Sequence, residues 1–271
     1  MNLFGHNWFF QSYGSGSSGN CYFIGNEEYG ILIDAGVSSR KVRKCLQSIG
    51  LTIYNIRAVF ITHDHADHIS SVAAFGERFL VPVYATTDIH KGIANNYSVT
   101  QKLERSKRFL EKKKAVAIEA MTVTAFPVSH DATDSVGYAI EFQGKKITIA
   151  TDLGEISAEA AEHLRTSDYI VIEANYDDEM LRNGTYPYLL QERIRAATGH
   201  LSNAQTADFL AKNYTKKWQK IFLCHLSKDN NSPQTARETV ENALKEKKNS
   251  AGKNVEVLSL PRTTPTMLFE L

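Results

Sequence analysis

The sequence predicts an α/β protein, and three observations carry the expectation. Short apolar, β-branched runs, of which Ala58-Val59-Phe60-Ile61 is the clearest, alternate with stretches of helical periodicity. Several of these runs end directly in histidine or aspartate. The 271 residues leave room for one large α/β domain or two small ones, with a substantial core.

Hydrophobic residues make up 42% and charged residues 23%, ordinary for a soluble globular chain. The formal net charge of +1 points to no anionic partner at the level of the whole chain. Residues 101–114 depart from that balance, with seven basic residues against two acidic and a local charge of +5. Such a run forms a solvated helix face or loop or, on a functional reading, a contact for a polyanion backbone. Cys21, Cys45 and Cys224 include no C-x-x-C pair and suggest no disulfide framework, which fits a reducing compartment. No basic segment followed by an apolar stretch opens the chain, and nowhere do about 18 apolar residues run together. The expectation is a soluble, cytoplasmic protein without a membrane partner.

Taken in order, residues 9–11 and 21–24 are candidate strands. The Ser- and Gly-rich segment between them would have no task as a flexible linker, so it reads as a hairpin loop with exposed backbone donors. Residues 31–33 form a strand stopped by Asp34-Ala35-Gly36. Ser38 or Ser39 then caps a helix with Val42, Cys45, Leu46 and Ile49 on one face and Gly50 as its stop. The strand 58–61 opens into Thr62-His63-Asp64-His65-Ala66-Asp67-His68, followed by a helix over 66–79 and a strand over 81–84. Further strands are expected over 121–128, 137–142, 146–151, 169–172, 220–224 and 255–260, with helices over 158–165, 204–212 and 233–245.

The stretch from Thr62 to His68 organises the chemistry. A strand that opens into a loop presents alternate side chains at its mouth, so His63 and His65 point at one ion while Asp67 and His68, starting a helix, point at a second. Neutral imidazole and carboxylate are ligands for zinc and similar cations, and a hydrolytic site also keeps a position for water. The plain alternative is a polar loop with surface histidines. It would concentrate considerable charge beside a core strand with no cation to balance it.

The H-x-H-x-D-H run resembles the signature of the metallo-β-lactamase superfamily. The resemblance implies a four-layer αββα sandwich of two mixed β-sheets flanked by helices. It also implies later landmarks after strands, which fall at His130 in Ser-His-Asp, Asp152 in Thr-Asp-Leu-Gly and His225 in Cys-His-Leu-Ser. On that pattern His63, His65 and His130 hold one metal, while Asp67, His68 and His225 hold a second, and Asp152 bridges them. Two divalent ions per chain follow, zinc or manganese, with iron as a further option. Asp34 matches a structural or supporting aspartate of the family. Only 48 positions separate Asp152 from His200, too few for the inserted domain of the β-CASP nucleases, so residues 1–271 are expected to form a single domain.

Glu173 at a strand end, Gly-His200-Leu-Ser-Asn opening a helix and Cys-His225-Leu-Ser resemble the phosphodiesterase branch that includes ribonuclease Z. In that branch an additional histidine contacts the phosphoryl group and is held by an acidic neighbour. Together with S-G-S-S-G-N-C and L-C-H-L-S-K-D-N-N, the motifs look like the YycJ/WalJ group of small bacterial DNA exonucleases. The resemblance implies a dinuclear metal-activated hydroxide, with Asp67 orienting or deprotonating water, His200 assisting the leaving oxygen and Glu173 positioning His200. It assigns substrate contacts to Ser18, Asn20, Ser202, Asn203, Lys228 and Asn230, a nucleic-acid substrate, DNA rather than RNA, and 5′ to 3′ degradation. Arg182, Arg193 and Arg195 could track a backbone, and Tyr176, Tyr186 and Tyr188 could stack bases. Alternatives are a small-molecule, cyclic-nucleotide-type phosphodiesterase and a non-catalytic metal-binding signalling or repair partner. His6, His90 and His163 match no motif, and the cysteines are not expected to bind metal.

Overall fold

The computed structural model describes residues 7–251 and 255–271, so His6 lies outside the described residues. The chain divides into two compact units. The first takes the chain up to Glu111 with Ala132–Asp134 and Pro261–Leu271, and the second takes Lys112–Asp131 and Ser135–Leu260. Each is built on one seven-stranded mixed sheet.

In the first unit β1 (Phe9–Gly14), β2 (Cys21–Gly25) and β3 (Gly30–Ile33) form an antiparallel meander, with the C-terminal strand β14 (Phe269–Glu270) added beside β1. The sheet continues in parallel through β4 (Ile56–Phe60), β5 (Val83–Ala85) and β6 (Lys107–Phe109). Parallel neighbours require crossovers. One is α1 (Ser39–Ser48), capped by Ser38, with Val42, Cys45 and Leu46 buried as their spacing predicts. Gly50 follows at φ +80°, a left-handed backbone that glycine adopts without a side-chain clash.

The helix expected over 66–79 is broken. A single turn, α2 (Ala66–Ile69), is followed by a wide turn over Ala74–Arg78. The two intervening serines divert the backbone: Ser71 N–H donates to the Ala35 carbonyl at 2.8 Å and Ser70 Oγ to the Gly36 carbonyl at 3.0 Å. The crossover from β5 to β6 is α3 (Thr87–Asn95).

The second unit runs antiparallel from β7 (Ala115–Ile118) through β8 (Met121–Pro127) and β9 (Val136–Phe142) to β10 (Lys145–Ala150). From β10 it is parallel through β11 (Tyr169–Glu173) and β12 (Lys220–Cys224) to β13 (Glu256–Ser259). The crossovers are α4 (Ala158–Arg165), then α5 (Asp178–Asn183), α6 (Tyr188–Arg195) and α7 (Asn203–Lys212), and finally α8 (Pro233–Ala251). Leu164, Leu210, Val240 and Leu244 from these helices join Ile170, Ile172, Ile221 and Leu223 of the strands in one buried cluster. Each such side chain contributes about 1.5–3 kcal/mol relative to exposure. Trp218 lies in the same cluster with Nε1 donating to the Leu164 carbonyl at 2.9 Å.

His90 is buried with Nε2 bonded to the Arg108 carbonyl, and His163 stacks on Phe126. All three cysteines are buried and none is in a disulfide. No helix among the described residues is long and apolar enough to cross a membrane.

Candidate functional site

In both units the chemistry follows the carboxyl ends of parallel strands, because neighbouring parallel strands end at one edge of a sheet. In the first unit Asp34 follows β3 and Thr62-His63 follows β4; in the second Asp152, Glu173 and His225 end β10, β11 and β12. Asp34, Asp152 and His225 turn off their strands at φ of 64°, 52° and 52°. Left-handed backbone costs a residue with a side chain about 1–2 kcal/mol and persists where neighbours hold it. Asn175 Nδ2, for example, donates to the His225 carbonyl at 2.8 Å.

In the first unit Asp34 is the hub. Its Oδ1 accepts the Thr62 N–H at 2.8 Å, and its Oδ2 lies 2.9 Å from Thr62 Oγ1 and 2.7 Å from His68 Nδ1. Burial pushes the Asp34 carboxyl up, against the opposing pull of His68 and Thr62. Thr62 Oγ1 is also 3.0 Å from His63 Nδ1. The rings of His65 and His68 lie 4.7 and 4.0 Å from that of His63, centroid to centroid. Asp67 Oδ2 is 3.5 Å from His68 Nε2. Asp64, within the same motif, faces away, accepting the Thr133 N–H at 3.1 Å.

In the second unit the hub is Glu173, fully buried at the end of β11. Oε1 faces His200 Nδ1 at 2.8 Å and His225 Nδ1 at 3.0 Å, while Oε2 accepts the N–H groups of Leu153 at 3.0 Å and Leu201 at 3.3 Å. Burial alone would raise the Glu173 carboxyl, but His200 and His225 outweigh it and hold it below the usual carboxylate range. Burial would likewise lower His200, and Glu173 outweighs it, holding the imidazole above its ordinary value. With Nδ1 of His200 and His225 turned to Glu173, each ring presents Nε2 on its opposite edge.

Asp152 Oδ1 stands 2.9 Å from His225 Nδ1 and 3.9 Å from both His200 Nδ1 and His130 Nε2. His130 Nδ1 donates to the Gly199 carbonyl at 3.1 Å, which leaves Nε2 as its ligand atom.

Both sets fit a divalent metal: buried imidazole nitrogens with orientation fixed through the other ring nitrogen, beside carboxylates. In the second unit, ligand atoms of Asp152, Glu173, His200 and His225 all lie within 4.8 Å of one another.

The residues assigned to substrate divide by burial. Ser18 and Lys228 are exposed. Asn20, Ser202, Asn203 and Asn230 are buried. Ser202 caps α7 through the Gln205 N–H, and Asn203 pairs with Asn231 at 2.9 Å. Asn20 is bonded to Asp67 and His68. Of the three tyrosines, Tyr176 is buried, Tyr186 bonds Asp229 at 3.1 Å, and Tyr188 is exposed. Arg193 pairs with Asp131 at 2.6 Å and Arg195 lies 3.7 Å from Glu192. Sequence reasoning missed Thr62 and Asn231 as supports. Thr62 was detectable by its place between strand and motif, whereas Asn231 reaches the Ala174 and Asn175 carbonyls only through folding.

A family profile described as the beta-lactamase superfamily domain matches residues 29–222. The chain belongs to that superfamily. Within the beta-lactamase superfamily it is 32% identical over 257 residues to exodeoxyribonuclease WalJ of Streptococcus pneumoniae, covering 95% of this chain and 96% of that one. It is 31% identical to exodeoxyribonuclease YycJ of Bacillus anthracis, covering 94% and 96%. Among solved structures, the metallo-β-lactamase fold protein YhfI of Bacillus subtilis superposes with a TM-score of 0.70 at 14% identity, over 98% of this chain and all of that one. The fold expected from the H-x-H-x-D-H motif is therefore the fold of this superfamily member. That fold implies divalent metal binding, and the histidine and carboxylate clusters match it in composition.

Proposed function

We propose that this protein is a metal-dependent DNA exonuclease that hydrolyses phosphodiester bonds. The carrying observation is the His200–Glu173 pair at 2.8 Å beside Asp152. Thioester, lactam and phosphodiester hydrolysis share the metal ligands, but a phosphodiester also needs its departing oxygen stabilised, and a charged or proton-donating imidazole serves that end. DNA as the polymer is supported by the likeness to two proteins named exodeoxyribonuclease; degradation from the 5′ end is carried over only from the motif resemblance to the YycJ/WalJ group.

In this reading His63, His65 and His130 would hold one cation and Asp67, His68 and His225 a second, with Asp152 shared. Zinc and manganese both suit these donors, and iron is a further option. The chemistry supplied by the bound cations is polarisation of the phosphodiester and a lowered pKa for water. Asp67 orients the attacking water and accepts its proton, His200 gives a hydrogen bond or proton to the leaving oxygen, and Glu173 keeps His200 in position. Ser18 and Lys228 contact the substrate. Residues 1–271 act as a single functional domain, and cysteines outside any disulfide accord with a cytoplasmic location.

The test is the protein reconstituted with zinc or manganese and given end-labelled single- and double-stranded DNA, RNA and a chromogenic phosphodiester. Progressive release of nucleotides from the 5′ end of DNA is expected. Cleavage of the chromogenic ester with intact polymers would replace this reading with a small-molecule phosphodiesterase. His200→Ala is expected to lower turnover by roughly 10²–10³-fold while metal content, measured by mass spectrometry, stays near wild type. Loss of metal in that variant would make His200 a ligand instead.

A further inference from the structure

The loop between β1 and β2 ends in Asn20, whose side chain is fully buried. The Gly16 N–H donates to Asn20 Oδ1 at 2.7 Å, which fixes the amide with its nitrogen turned to the metal motif. Nδ2 then faces the Gly16 carbonyl at 3.1 Å, Asp67 Oδ2 at 3.1 Å and His68 Nε2 at 2.9 Å, three acceptors for two hydrogens. The main chain is pinned as well: Asn20 N–H donates to the Asp67 carbonyl at 2.8 Å, and the Asn20 carbonyl accepts from Gly36 at 2.9 Å. A Cβ on Gly36 would run into the Asp67 carbonyl oxygen, so only glycine permits this approach. Loop and motif are held as one piece.

His68 Nδ1 lies 2.7 Å from the buried Asp34 carboxyl, and because the Asn20 amide nitrogen facing Nε2 can only donate, the neutral ring is assigned its proton at Nδ1. Its Nε2 therefore has a single lone pair. That lone pair accepts a hydrogen from Asn20 or binds a cation, and it cannot do both.

We propose that the Asn20 amide is a placeholder for a cation, occupying the acceptors of Asp67 and His68 in the metal-free chain and giving them up when metal binds. This rests on the reading of Asp67 and His68 as metal ligands. A neutral amide suits the task, because it donates to the Asp67 carboxylate and the His68 ring yet carries no full charge to oppose metal entry. It also makes binding weaker than the ligands alone would give, since these hydrogen bonds must break first.

The test compares dissociation constants for Mn²⁺ and Zn²⁺, by competition with a chelating dye, in wild type, Asn20→Ala and Asp67→Asn. Asn20→Ala is expected to bind the more weakly held cation roughly tenfold more tightly. Its metal-free form should melt earlier relative to wild type than its loaded form does. In the wild-type protein, which needs no substitution to fold, the side-chain amide with NOEs to the His68 ring should lose protection from hydrogen exchange as metal is added. Equal or weaker binding by Asn20→Ala, or an Asn20 amide indifferent to metal, overturns the placeholder while Asp67→Asn still loses a cation. Full metal content in Asp67→Asn would instead overturn the ligand reading, and the placeholder with it.

Discussion

Asp152→Asn is expected to lower nuclease activity by roughly 10³-fold or more and to leave the purified protein short of metal. Asparagine is the informative substitution because it tolerates the left-handed backbone at φ 52° and keeps the side chain's shape, so the loss reports charge and not folding. The carboxylate lies 2.9 Å from His225 Nδ1 and accepts from Thr151 Oγ1 at 2.6 Å, and the neutral amide cannot replace both acceptor oxygens. His65→Ala should produce the same paired loss, because an imidazole ligand disappears. The measurements are metal content by mass spectrometry and DNA release rate on the same preparation, with circular dichroism as the folding control. Full metal content and near-normal turnover in Asp152→Asn would remove Asp152 from the ligand set.

Glu173→Ala is the substitution with the largest expected cost to stability. It leaves the N–H groups of Leu153 and Leu201 and the Nδ1 atoms of His200 and His225 without the fully buried carboxylate they share. Removing one partner of such a buried charged network costs about 3–5 kcal/mol. Glu173→Gln should cost less, because one acceptor oxygen remains, although its NH₂ must then face donors. Urea denaturation of the metal-free proteins would measure both, and activity in each should fall by about 100-fold or more because His200 and His225 lose orientation. An alanine variant within about 1 kcal/mol of wild type would show that Glu173 is not the hub of this network.

Some elements were fully legible before folding. The run 220–224 is apolar after Lys220 and forms β12 over those same residues, and the spacing of Val42, Cys45 and Leu46 with serine before them marks α1. Residues 158–165 likewise form α4 as expected. The short pieces were not. β6 and β14 are three and two residues long, below the length at which periodicity is visible, and they exist because β5 and β1 offer them an edge to pair with. The break after α2 was hidden for the same reason, because the serines that cause it bond to Ala35 and Gly36, more than thirty positions away.

The sequence by itself determined the superfamily and the order of its ligand-type residues, because most of them follow the end of a strand whose apolar run marks it locally, with Asp67 and His68 in the helical turn just beyond. Only the tertiary structure decided what orients them. Glu173 serves two histidines, 27 and 52 positions further along the chain, and Asp34 reaches His68 across 34. Burial was also decided there, placing Asn20, Ser202, Asn203 and Asn230 in the interior. The physical reason is common to all of them. A short polar side chain takes its role from the donors and acceptors that folding brings within about 3 Å, and no local pattern encodes which those will be.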